Sequence, residues 1–98
     1  MSLQKDVSIL RLLEHLNLSA RGWMLVDYWD ADRCAIGIAT MAEPRRLVYV
    51  STFARAEGRY DYACEAPAGD RLEDFTTLDE REDVDFDTLR QAMESHLR

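Results

Sequence analysis

Two cysteines, four glycines and two prolines are all that this chain of 98 residues has of those types. Cys34 and Cys64 are too few and too widely spaced for a disulfide framework or a zinc set. They suit thiols used as small apolar side chains in a reducing, cytoplasmic setting. Gly22, Gly37, Gly58 and Gly69 are scattered, so neither a phosphate-cradling loop nor a dinucleotide fingerprint can be built from them. No apolar run approaches the roughly 20 residues that span a bilayer, so no membrane role is expected. The first residues lack the charged, apolar and small-residue regions of a secretory signal. A G-x-S-x-G nucleophile elbow is also missing.

What the chain does have is acid in one place. The net charge is −7. Between Asp70 and Asp87 stand nine acids and two bases, Arg71 and Arg81, while the remaining residues hold ten of each sign. The whole imbalance therefore lies in eighteen consecutive residues. Such a field repels nucleic acid and attracts a basic protein surface. The bland alternative is a solvated connector whose charge maintains solubility.

The size fits a single domain. Apolar residues at helical spacing (Leu3, Val7, Leu10, Leu13 and Leu16, widened by Ile9 and Leu12) predict a helix over 3–17, with Gly22 as a stop. Four runs rich in β-branched and aromatic residues predict strands over 23–29, 34–41, 47–54 and 59–65. The short, turn-like breaks between them favour antiparallel hairpins. The third run is apolar on both faces and is expected to be central. Pro67 and Gly69 are expected to end the sheet. In the acidic segment, Leu72 and Phe75 look like anchors, and Thr77 to Glu80 has the spacing of a capping box. A last helix is predicted over 86–97, with Asp85 as its N-cap and Phe86, Leu89, Met93 and Leu97 as its stripe. The expected fold is α+β, in the order α-β-β-β-β-α: one four-stranded antiparallel meander with both helices on one face.

Chemistry-bearing patterns are weak. Asp83, Asp85, Asp87 and Glu94 match positions 1, 3, 5 and 12 of a calcium loop, but Thr88 occupies the position that needs glycine. Helix capping explains these acids more simply, and no metal site is assigned. His15 and His96 each sit near the C-terminal end of a predicted helix, where the dipole favours a charged imidazole. Cys64 neighbours Glu65, which raises a thiol pKa rather than lowering it. Arg45-Arg46 is the one basic doublet and reads as solvated turn charge. No catalytic residue and no cofactor are assigned.

Two surfaces remain as candidates. Asp79, Glu80, Glu82 and Asp83 are the acids expected to meet a basic partner, because capping partly occupies Asp85 and Asp87. If Val48 and Val50 face the helices, Tyr49 and Phe53 point to the other sheet face, a candidate self-association surface for a homodimer. The expected class is therefore a non-enzymatic binding or inhibitor-type module. A small enzyme or ligand-binding domain, with a pocket between sheet and helices, is the alternative.

Overall fold

The computed structural model describes residues 4–26, 31–71 and 74–98. The expected helix start at Leu3, the first strand beyond Val26 and the anchoring role of Leu72 lie outside these residues. Helix α1 spans Val7–Leu16. Asp6 caps it, accepting from the Ser8 backbone N–H at 3.0 Å and from the Ser8 hydroxyl at 2.6 Å. Asn17, in the left-handed region, breaks the helix, and a short helix α2, Leu18–Arg21, follows. Gly22 closes α2 with φ +71°, a conformation that costs glycine nothing.

Five strands come next: β1 Trp23–Val26, β2 Ala35–Thr40, β3 Leu47–Ser51, β4 Tyr60–Pro67 and β5 Phe75–Val84. They form one antiparallel sheet in chain order, with β3 in the middle. The meander and the central third strand are as expected; the number of strands is not. Pro67 does not end the sheet. It pairs with Phe75, and the chain returns as β5 along β4 to Val84. Thr77 accordingly sits within a strand rather than capping a helix, and its hydroxyl donates to Glu65 across the ladder at 2.8 Å. The physical reason is position. An outermost strand has one ladder neighbour and solvated sides, so its sequence need not alternate. Strand β3 stops earlier than expected, because Ser51 Oγ accepts the Phe53 N–H at 3.2 Å and Ala54 takes φ +59°.

Helix α3, Phe86–His96, closes the fold, and Asp85 caps it by accepting from Thr88 N–H at 2.8 Å. One core cluster joins Ile9, Leu12 and Leu16 of α1, Leu89 and Met93 of α3, and the sheet residues Ile36, Ile38, Val48, Val50, Tyr62 and Cys64. The register sets Ile38, Val48 and Cys64 side by side, and likewise Ile36, Val50 and Tyr62. Both helices therefore cover the same face. Trp23 ties the start of the sheet to the chain end, donating from Nε1 to the Leu97 carbonyl at 3.3 Å.

The buried stripe of α1 is rotated from the expected one. Val7 and Leu10 are exposed, and Ile9, Leu12 and Leu16 face the sheet. Spacings of three and four fit both sets, so the period alone could not choose. Leu12→Ala should cost about 2–5 kcal/mol, the usual range for a buried leucine. The exposed Val7→Ala should stay within about 0.5 kcal/mol. Urea unfolding followed by circular dichroism checks both; equal losses would mean the helix is seated differently.

Candidate interaction site

The acidic residues singled out by sequence lie on β5, at the end of the strand order. Among the described residues no strand pairs with its outer side, so a row of backbone N–H and C=O groups faces away from the sheet. Two register shifts interrupt its pairing with β4, one between Tyr60 and Tyr62 and one between Cys64 and Glu65. Bulges of this kind bend and twist an edge strand.

The four acids do not act as one. Asp79 stands opposite Cys64 on the helix-covered face and accepts from the Tyr62 hydroxyl at 2.8 Å. Asp83 adopts φ +53°, and Arg59 holds it through Nε at 3.0 Å and through a short contact from Nη2 to its carbonyl. That guanidinium keeps the Asp83 carboxyl below its ordinary range. Its backbone N–H donates to Asp61, which also receives Arg55 Nε at 2.8 Å. Glu82 lies 3.6 Å from Arg55, with 82% of its side chain exposed. Glu80 stands opposite Ala63, on the face away from the helices. Capping-like occupancy thus extends to Asp83, and the acids most open to a partner are Glu80 and Glu82.

Tyr49 and Phe53 project to that same open face. Tyr49 packs beside a small cluster of Val26, Ala39 and Leu47, and Phe53 is 70% exposed. A shallow hollow of about 450 Å³ is lined by Tyr49, Phe53, Glu80 and Glu82, with Asp61 and Arg81 beside them. Two acids of one surface read from sequence, Glu80 and Glu82, therefore adjoin Tyr49 and Phe53 of the other. The link was invisible because it depends on β5 folding back beside β4.

Other candidates resolve into structure. Glu94 of the calcium-loop pattern lies within α3 and pairs with Arg21 at 2.8 Å and Arg90 at 2.9 Å, while Asp85 caps that helix. His15 packs on Phe86 at the start of α3, with ring centroids 5.7 Å apart, whereas His96 ends that helix and hydrogen-bonds the Glu65 carbonyl at 2.8 Å. The rings thus lie near opposite ends of an eleven-residue helix. Arg45 and Arg46 are not solvated turn charges. Arg45 Nη2 donates to the carbonyls of Arg71 at 2.7 Å and Asp74 at 3.1 Å, holding the loop before β5. Arg46 Nε donates to the His96 carbonyl at 2.8 Å. Sequence reasoning missed both roles, because a turn arginine that folds inward has no local signature.

Cys34 and Cys64 are both free thiols. Burial, then the nearby Asp79 and Glu65 carboxylates, push the Cys64 thiol up to about 11. Burial and the bond to Asp79 raise Tyr62 to about 12. Comparison with protein-family models, with curated proteins and with solved structures finds no match for this chain.

Folding favours the protonated forms of Cys64 and Tyr62, because both are harder to ionise in the folded state. The stability they add is complete below their ordinary values of 9.0 and 10.0. It is lost as pH rises toward about 11 and then about 12. Urea midpoints should therefore fall above about pH 9, and the Cys64→Ala, Tyr62→Phe double variant should show a flatter decline. Parallel declines in both proteins would assign alkaline loss to other groups.

Proposed function

We propose that this protein is a non-enzymatic interaction module that receives a basic, extended protein segment along β5 and the hollow beside it. One observation carries this reading: Glu80 and Glu82 share a surface hollow with Tyr49 and Phe53 at an open sheet edge. Each part of such a surface has a complementary counterpart. A lysine or arginine side chain can meet carboxylates and an aromatic face together, and a cation over an exposed ring adds about 0.5–1 kcal/mol. An extended main chain can hydrogen-bond to the outer side of β5, the mode by which many domains capture a peptide as an extra strand. The net charge of −7 draws a positive partner in and discourages anionic ones, nucleic acid included. The two free thiols suit work in a reducing compartment such as the cytoplasm.

Self-association through Tyr49 and Phe53 is the second reading, favoured by the exposure of Phe53. The two readings separate cleanly. An eight-residue peptide alternating lysine and threonine should bind, shift the backbone amides of β5, and weaken as salt rises. The double variant Glu80→Gln, Glu82→Gln should weaken it about tenfold, or 1.4 kcal/mol. Binding indifferent to both changes would overturn the docking reading. Sedimentation should find a monomer; a wild-type dimer that Phe53→Lys dissociates would favour self-association instead.

A further inference from the structure

A second concavity lies on the other side of the sheet. It opens between the first turns of α1 and the loop joining β3 to β4, with Phe86 of α3 behind it, and encloses about 600 Å³. That volume falls within the roughly 300–1,000 Å³ of small-molecule sites. Its walls include Tyr60, Phe86 and His15, three rings from three different elements.

Tyr60 is the informative residue. It is only 7% exposed and lines the cleft. No group among the described residues hydrogen-bonds to its hydroxyl, although a buried tyrosine usually finds a partner for that group. The oxygen is not sealed in the core, since it is not among the buried polar atoms left without a partner. The oxygen thus reaches the surface on a residue that lines the cleft. Burial, with Glu57 on the rim, raises this phenol above its ordinary value, so it is protonated and able to donate near neutral pH.

Thr52 supplies an acceptor beside it. Asp6 is ionised at neutral pH, its carboxyl held below its ordinary range by Ser8. A carboxylate can only accept, so the Ser8 hydroxyl donates to it at 2.6 Å. The contact of 2.7 Å between Ser8 Oγ and Thr52 Oγ1 must then be a donation from Thr52. The Thr52 oxygen keeps a lone pair for a ligand.

The charged side chains that line the cleft already have partners: the Asp6 carboxylate accepts from the Ser8 N–H and hydroxyl. Arg11 pairs with Glu57 at 3.0 Å, Arg55 with Asp61 at 2.8 Å, and Arg59 with Asp83 at 3.0 Å. A charged ligand would have to compete with these partners; an uncharged one would not. The Arg11–Glu57 pair joins α1 to the loop across the cleft, and both side chains are largely exposed. Exposed pairs contribute little, so this one can part at small cost.

We propose that this cleft binds a small, uncharged aromatic molecule carrying a hydroxyl or N–H group, which meets the Tyr60 hydroxyl and the Thr52 oxygen while its ring packs against Phe86 and Tyr60. The site is separate from the hollow beside β5 and does not depend on the docking reading. Titration of the ¹⁵N-labelled protein with p-cresol tests it, with benzoate and benzylamine as charged probes of similar size. p-Cresol should shift the amides of Ser8, Thr52 and residues 56–60, and bind more tightly than either charged probe. Tyr60→Phe keeps the ring and should weaken p-cresol about three- to tenfold, the worth of one neutral hydrogen bond. Glu80→Gln should leave p-cresol binding unchanged. The proposal is overturned if about 10 mM p-cresol moves none of these amides. It is equally overturned if a charged probe binds the wild type as well as p-cresol does, or if Tyr60→Phe binds p-cresol with undiminished affinity.

Discussion

Burial of one sheet face beneath α1 and α3 is the interaction on which the rest of the molecule depends. Ile36, Ile38, Val48, Val50, Tyr62 and Cys64 are pressed against Ile9, Leu12, Leu16, Leu89 and Met93, and most of the apolar burial is concentrated there. At about 25 cal/mol per Å² of apolar surface removed from water, no other feature of so short a chain competes with it. A sheet covered on one side leaves its other face with a much smaller cluster, centred on Val26, Ala39 and Leu47. The exposed aromatic Phe53 and the polar strand β5 are consequences of that one-sidedness.

Arginine does much of the remaining work. Arg45 gathers carbonyls of the loop that leads into β5, Arg46 ties the end of α3 to the turn before β3, and Arg21 reaches from α2 to Glu94. Arg55 and Arg59 bind the loop between β3 and β4 to Asp61 and Asp83. A planar guanidinium with five donors can serve several acceptors at once, which an ammonium group does less well. The acidic excess is therefore not a free cloud of charge. Part of it is folded into this set of pairs, and Glu80 and Glu82 are among the acids left outward.

The hollow and the cleft lie on opposite faces of one sheet and are joined through the ion pairs of one arginine. Arg55 lines the cleft, and its partners Asp61 and Glu82 line the hollow. Their chemistries differ. The hollow offers carboxylates beside rings, which suits cationic side chains. The cleft offers partnered charges and an unpartnered phenol, which suits a neutral guest. The fold supports both because its two faces are built from alternate residues of the same strands.

Period and punctuation in the sequence were enough for the α+β class, the antiparallel meander, the central β3, the cap at Asp85 and the helix over Phe86–His96. These are local properties: spacing of apolar residues, turn chemistry and caps act over a few positions. The acidity of the Asp70 to Asp87 segment and the sidedness of Tyr49 within β3 were legible for the same reason. The tertiary structure alone decided the rest. Residues 75–84 carry no strand alternation because an edge strand beside one neighbour is under no pressure to alternate. The rotation of α1 was set by what its face meets in the sheet. The joining of Glu80 and Glu82 to Tyr49 and Phe53, and the unpartnered Tyr60 hydroxyl, exist only through contacts between residues far apart in the chain. Spacing along a sequence carries no record of such contacts.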